Sequence, residues 1–113
     1  MLRAARRLPG LQVGTRPLGI AGLYDVSDDW IPIYDRTSLD GYYVAIGTSG
    51  NQFKNAPIIG WIMNSIITAN ENGQDTDRTP LHLTCPRTGN TINMNHYSRK
   101  REANRASSLS SRA

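Results

Sequence analysis

The most regular hydrophobic pattern in the chain lies between residues 57 and 70. Apolar side chains recur there every four positions in two adjacent rows, which together form one broad stripe along a helix. The rows consist of Ile58, Ile62 and Ile66, and of Ile59, Met63 and Ile67. Pro57 presets the backbone for a first helical turn, and the Asn and Gly residues between 70 and 73 favour its end. The pattern predicts one long helix over residues 57–70.

Shorter apolar runs predict strands before and after this helix. Residues 42–46 read Tyr-Tyr-Val-Ala-Ile, which has the length and composition of a strand buried on both faces. Residues 19–26 and 31–34 come earlier as short extended segments, and residues 81–84 and 91–94 come later as weaker strand candidates. Short strands around one long helix predict an α/β fold.

Composition limits the size of the core and the class of protein. The chain has 113 residues, of which 38% are apolar and 7% aromatic, so it has room for about one small domain with a modest core. No apolar run approaches the roughly 18 residues that argue for a transmembrane helix. The single cysteine, Cys85, cannot form an intrachain disulfide, and we therefore expect a reducing, cytoplasmic location. An Arg-rich start with a short helix over residues 2–8 also fits a transit peptide, although Pro9 and Gly10 limit it to about two turns.

The net charge of +4 is unevenly distributed. Residues 1–16 carry four arginines and no acid, residues 99–113 carry five basic residues and one acid, and residues 17–98 carry four basic and eight acidic residues. The part of the chain with predicted structure is therefore acidic, which disfavours a nucleic-acid-binding face. We expect the basic run Arg99-Lys100-Arg101 to be solvated, as such runs usually are.

One combination of elements suits ligand chemistry. The predicted strand ends in the turn Gly47-Thr48-Ser49-Gly50, whose glycines let a ligand approach the main chain without meeting a Cβ atom. The following helix presents unpaired N–H groups and the positive end of its dipole, and Lys54 adds a positive charge beside them. The pattern alone is more often a tight structural connection than a ligand site, and the chain has no complete glycine fingerprint for a nucleotide.

The amino-acid identities of two segments carry a family resemblance. Residues 41–60, with the run Ile-Gly-Thr-Ser-Gly-Asn-Gln-Phe-Lys-Asn-Ala-Pro, closely resemble the last strand, the flavin-side loop and the last helix of the D-amino-acid-oxidase superfamily. This superfamily comprises FAD-dependent oxidoreductases such as sarcosine oxidase, sarcosine dehydrogenase and glycine oxidase. Residues 21–35 are similar to its segment Gly-x-Tyr-x-x-Thr-Pro-Asp-x-x-Pro, in the right order and spacing. The resemblance covers residues 6–67 and extends less closely to residue 105.

The resemblance implies oxidation of an amine or amino acid, such as an N-methyl amino acid, by hydride transfer to FAD. Attachment would be non-covalent, because Gly22 stands where some members carry the cysteine that bonds to the flavin. Lys54 would bind the substrate carboxylate, and Tyr24 would lie on the substrate side of the flavin. No catalytic residue and no metal ligand is implied. The residues implied to contact the cofactor are Gly47, Thr48, Ser49, Gly50, Asn51, Gln52 and Phe53.

The largest departure from the family is the lack of its N-terminal dinucleotide-binding unit. We therefore interpret the chain as the C-terminal fragment of a two-domain flavoprotein, which needs the missing N-terminal part and is inactive alone. Residues 1–40 would be a remnant of the substrate domain, residues 41–73 the last strand, loop and helix of the FAD-binding domain, and residues 74–113 an extension with a mobile basic tail. The expected partner is a small amine or amino-acid substrate, with no nucleic acid and no membrane.

Two other interpretations stay open. The Arg-rich ends also suit a small basic nucleic-acid-binding or scaffold protein, and the isolated chain could lack a stable fold.

His82, Cys85 and His96 match no common zinc spacing, which disfavours a metal site. The acidic residues that fit turn or surface roles better than an acid–base pair are Asp28, Asp29 and Asp35.

Overall fold

The computed structural model describes residues 6–10, 19–50 and 52–104. Its elements are listed in chain order as β1 (Ile33–Arg36), β2 (Tyr43–Ile46), helix α1 (Ala56–Glu71), β3 (His82–Thr84) and β4 (Thr91–Asn93). Short 3₁₀ turns, Phe53–Asn55 and Met94–Tyr97, precede α1 and follow β4. The part of the chain described is thus a mixed α/β fold in which each of two small sheets is an antiparallel pair of strands.

Helix α1 is the predicted helix, lengthened by one residue at each end. Its stripe faces the core, where Ile62 and Ile66 are each 3% exposed. They pack with Tyr34 of β1 and with Met94, and the ring of Tyr97 stacks on that of Tyr34 at a centroid distance of 5.4 Å. Burial of one such aliphatic side chain contributes about 1.5 to 3 kcal/mol. The core therefore lies between α1, β1 and the 3₁₀ turn after β4.

Strand β2 forms as predicted, but the expectation that both of its faces are buried is wrong. It pairs antiparallel with β1, with Ile33 opposite Ile46 and Arg36 opposite Tyr43. Its first two residues are half-buried and its last two are exposed, with Ile46 49% exposed. The physical reason is that a two-stranded sheet leaves β2 at an edge, where it has one neighbouring strand among the described residues.

Strands β3 and β4 form the second hairpin close to where the sequence predicts them. Leu83 lies opposite Ile92, and the hydroxyls of Thr84 and Thr91 are 3.1 Å apart across the pair. The N–H of Met94 donates to the carbonyl of Leu81 at 2.9 Å, which extends the pairing to the buried end of the hairpin. This hairpin therefore delivers Met94 and Tyr97 to the core.

Residues 19–26 do not form the predicted strand. They lie outside every helix and strand and are exposed, with Ile20 102% and Leu23 105% exposed. An isolated extended segment is not a stable strand, and no other described strand pairs with this one. Of the expected helix over residues 2–8, residues 2–5 lie outside the described residues, and residues 6 and 7 form a turn.

The basic run near the C-terminus is docked onto the fold. Arg101 donates to Asp29 from Nε at 2.9 Å and from Nη2 at 2.7 Å, and the Asp29 side chain is 1% exposed. Arg101 also donates to the carbonyl oxygens of Ile31 at 2.7 Å and Ser98 at 3.0 Å. The Arg101 guanidinium therefore holds the pKa of the Asp29 carboxyl far below its usual range.

Arg99 makes a second, half-buried ion pair. Its guanidinium binds Asp77 through two hydrogen bonds of 2.7 Å and lies 3.2 Å from Asp35, while Lys100 Nζ lies 2.9 Å from Asp77. Asp35 also accepts the backbone N–H of Arg99 at 2.9 Å. The Arg99 guanidinium holds the pKa of Asp77 far below its usual range. We call residues 98–101, with the three aspartates that they bind, the arginine clasp.

The arginine clasp corrects two expectations. The basic run is not solvated, because the side chains of Arg99 and Arg101 are 22% and 11% exposed. Asp29 and Asp35 are not at the surface, because they are 2% and 6% exposed. Buried carboxylates need charged or hydrogen-bonding partners, and this run supplies them.

No helix within the described residues is long and apolar enough to cross a membrane.

Candidate functional site

The predicted glycine corner is a tight turn of unusual backbone conformation. Gly47, Ser49 and Gly50 have φ angles of 68°, 51° and 70°, in the left-handed region that favours glycine. Ser49 is held there by burial, being 4% exposed, and its hydroxyl donates to the Gly47 carbonyl at 3.2 Å. We call residues 47–50 the flavin-side turn, after the resemblance described above.

One upstream residue binds three successive N–H groups of the flavin-side turn. The carboxylate of Asp25 accepts hydrogen bonds from the N–H of Gly47, from the N–H of Thr48 at 3.0 Å and from the Thr48 hydroxyl at 2.8 Å. The carbonyl of Asp25 accepts the N–H of Ser49 at 2.9 Å. The Thr48 hydroxyl, followed by the backbone N–H groups, holds the pKa of the Asp25 carboxyl below its ordinary value. Runs of backbone N–H groups in turns bind anions, and here the anion belongs to the chain itself.

The same upstream segment covers both ends of the turn. A Cβ atom placed on Gly50 would lie 3.2 Å from the ring of Tyr24, and one placed on Gly47 would lie 3.3 Å from the Cβ of Ser27. Residues 24–27 therefore lie alongside the flavin-side turn in the opposite chain direction. Tyr24 keeps 57% of its surface exposed, so its ring flanks the turn and also faces solvent.

The residues after the turn divide into one that faces the core and two that face solvent. Gln52 accepts hydrogen bonds at its side-chain oxygen from Asn55 at 2.7 Å and from the Tyr34 hydroxyl at 3.3 Å. Phe53 is 96% exposed, and Lys54 is also exposed. Asn51 lies outside the described residues. Of the residues that the resemblance implies after the turn, Phe53 and Lys54 are therefore the most accessible to a ligand.

The start of helix α1 keeps its positive dipole end uncompensated by local side chains. Asn55, the residue before the helix, makes no side-chain capping hydrogen bond, and the first helical turn has no acidic residue. The same holds for Gln52 before the 3₁₀ turn that leads into the helix. Lys54 adds an ammonium group at this end. The region beyond the flavin-side turn is thus electropositive.

A groove of about 480 Å³ adjoins this region. Aromatic rings, isoleucines of α1, and Gln52 and Asn55 are among the residues that line it. The aromatic residues are Trp30, Tyr34 and Tyr97. Its volume is in the range of small-molecule sites, which are mostly apolar with a few polar groups.

The candidate metal ligands do not assemble. Within the described ranges no three His, Cys, Asp or Glu side chains are placed to hold a metal ion. His82 lies in β3 and His96 in the 3₁₀ turn after β4. Cys85 lies between β3 and β4, where the hydroxyl and N–H of Thr88 and the N–H of Arg87 lower the pKa of its thiol.

The sequence reasoning missed Asp25. The structure brings Tyr24 against Gly50, and it places Asp25 on the N–H groups of Gly47 and Thr48. These two groups are therefore bonded within the chain. A signal was present, because Asp25 is a charged residue between two apolar ones in a segment that otherwise resembles a strand.

Comparison of the chain with family models, with curated proteins and with solved structures finds no match.

Proposed function

We propose that this chain forms the flavin-facing side of an FAD-dependent oxidoreductase that oxidises an amine or amino acid. The rest of the cofactor site would come from a dinucleotide-binding part. The observation that carries the proposal is contact between the two segments that resemble the D-amino-acid-oxidase superfamily. Tyr24 packs against Gly50, and Asp25 binds Gly47 across a separation of 22 residues. A chance likeness of two separate segments would not require them to meet.

The electrostatics beyond the flavin-side turn suit a group that gains negative charge. The start of α1 has neither a side-chain cap nor an acidic residue in its first turn, and Lys54 is exposed there. Backbone N–H groups and a helix dipole fixed in place stabilise developing charge without reorganising. The residues present therefore fit the anionic edge of a reduced flavin.

The chain's residues would divide the work between cofactor and substrate. The backbone from Gly50 to Phe53 would face the cofactor edge, and Lys54 would bind a substrate carboxylate as a point charge. Tyr24 would flank the substrate side. The flavin, when bound, supplies the acceptor for a hydride equivalent from the carbon next to the amine. Gly47 and Thr48 would act on the cofactor indirectly, since their N–H groups bind Asp25.

The proposal is tested by titrating the ¹⁵N-labelled chain with FMN, oxidised and reduced, without oxygen. Since the chain offers one side of a site, we expect weak binding, with a Kd on the order of 1 mM. The amide signals of Gly50, Gln52, Phe53 and Lys54 should shift most, and reduced FMN should bind more tightly than oxidised FMN. Absence of saturable shifts, or shifts centred on another surface, would contradict the proposal.

A matched pair of variants distinguishes the effect of the Lys54 charge from the effect of the chain's net charge. Lys54→Gln should weaken binding of reduced FMN by up to about 5-fold, which corresponds to the loss of one exposed ion pair worth up to roughly 1 kcal/mol. Arg87→Gln removes the same charge from an exposed residue in the turn between β3 and β4 and should change nothing. Equal effects of the two substitutions would show that the chain attracts the anion through net charge alone.

The nucleic-acid alternative would need guanidinium groups free to bind phosphate. Arg99 and Arg101 already bind Asp77 and Asp29 in the arginine clasp. The described part of the basic C-terminal run therefore adds little support to that alternative.

A further inference from the structure

We propose that Asp25 is the positioning residue of the flavin-side turn. By holding the first three residues of the turn, it sets the path of the backbone from Gly50 onward and keeps Tyr24 against Gly50. The ligand that would use this geometry rests on the proposed function, whereas the role of Asp25 in the turn does not.

The hydrogen bonds of Asp25 hold the first three residues of the four-residue turn. Its carboxylate takes the N–H groups of Gly47 and Thr48 and the Thr48 hydroxyl, and its carbonyl takes the N–H of Ser49. Hydrogen bonds to an ionised carboxylate are stronger than neutral ones. Ser49 is the one residue of the turn other than glycine with a left-handed backbone, and such a residue persists only when its surroundings hold it in place.

The position of Tyr24 follows from the same contacts. Tyr24 is the residue directly before Asp25, so fixing Asp25 on the turn also fixes where the Tyr24 ring lies. The ring touches the Gly50 position, since a Cβ atom there would lie 3.2 Å away. Asp25 therefore influences the position of Gly50 in two ways. Its hydrogen bonds hold the residues just before Gly50, and its neighbour Tyr24 packs against Gly50.

Asp25 also determines where an anionic ligand can bind. The N–H groups of residues 47–49 already have acceptors in Asp25, so they are not available to a ligand. The negative charge of Asp25 at the first half of the turn repels an anion. Lys54, which is exposed in the 3₁₀ turn before α1, attracts one. The pair of charges thus directs a flavin edge towards the start of α1.

The first test needs no variant and no flavin. In the wild-type chain, the amide signals of Gly47 and Thr48 should move together as pH falls, with one midpoint below 3.8, the ordinary pKa of an Asp carboxyl. The turn itself, Gly-Thr-Ser-Gly, has no group that titrates in this range. If the two signals do not move, or move with an ordinary midpoint, the carboxylate does not hold the turn.

The second test compares Asp25→Asn with Asp28→Asn, which removes the same charge three residues away. In Asp25→Asn the shared titration should vanish, and the Hα signals of Gly50 should lose the upfield shift caused by the Tyr24 ring. Asp28→Asn should keep both. Unchanged Gly50 signals in a folded Asp25→Asn would overturn the positioning role. If Asp25→Asn does not fold, the wild-type titration still decides whether the Asp25 carboxylate holds the turn.

Reduced FMN then separates this inference from the proposed function. In Asp25→Ala the FMN-induced shifts should spread from residues 50–54 to the vacated N–H groups of Gly47 and Thr48, whereas Asp28→Ala should show the wild-type pattern. If the FMN-induced shifts in Asp25→Ala remain confined to residues 50–54, Asp25 does not determine where the ligand binds. Absence of FMN binding in every variant would refute the proposed function and leave the titration result standing.

Discussion

Removal of the Arg101 side chain should be among the most destabilising single changes in this chain. Arg101→Ala would leave the Asp29 carboxylate, whose side chain is 1% exposed, without its main charged partner. Breaking a buried pair by deleting one member costs about 3 to 5 kcal/mol, because the remaining charge is left uncompensated. Asp29 would keep the Ile31 N–H at 3.0 Å and the Ser27 hydroxyl at 3.2 Å. We therefore expect a loss near the lower limit, about 3 kcal/mol.

The assay is urea denaturation at pH 7, followed by tryptophan fluorescence and extrapolated to zero urea. Arg78→Ala is the matched control, because Arg78 is 88% exposed and its Nε lies 3.5 Å from Asp75. An exposed pair of this kind is worth about 0 to 1 kcal/mol, so the control should remain close to wild type. If Arg101→Ala costs no more than Arg78→Ala, the reasoning from burial is wrong.

Three further predictions concern acid, backbone and core. The folded-state pKa values of Asp29 and Asp77 lie below the ordinary 3.8, so the stability that these carboxylates contribute is present above that pH and is lost as the pH falls towards the folded-state values. The urea concentration at the midpoint of unfolding should therefore decrease when the pH is lowered below about 4. Gly60→Ala, in the helix with no atom within 4 Å of the added Cβ, should raise stability by about 0.5 to 1 kcal/mol, whereas Gly73→Ala, at φ 85°, should lower it; thermal melting compares the two. Ile66→Ala should cost about 2 to 5 kcal/mol in urea denaturation, because it opens a cavity in the core.

Local periodicity predicts the elements of this fold better than it predicts their surroundings. Helix α1 lies where the isoleucine rows place it, because a stripe on one face needs only one apolar partner surface. The run 42–46 forms a strand, but its burial depends on neighbours that a local pattern does not specify. Residues 19–26 have strand-like composition and form no strand, because pairing requires a second strand at the right place.

The long-range ion pairs lay beyond sequence reasoning for the same reason. A basic run at the end of a chain is usually solvated, and the partners of Arg99 and Arg101 lie 22 and 72 residues away in Asp77 and Asp29. The candidate site shows the intermediate case. Its turn, helix and lysine follow from adjacent residues, whereas Asp25 reaches the turn from 22 residues upstream and is visible only as a charge in an apolar segment.

The arginine clasp also sets the order in which the chain can finish folding during synthesis. Asp29 emerges early, and its guanidinium partner is added 72 residues later. At a translation rate of about 5 to 20 residues per second, that interval is roughly 4 to 14 s. Until then Asp29 stays hydrated, so the segment around it can close only after residues 98–101 have left the ribosome. A nascent chain stalled before residue 98 should accordingly leave this segment open to proteases and chaperones.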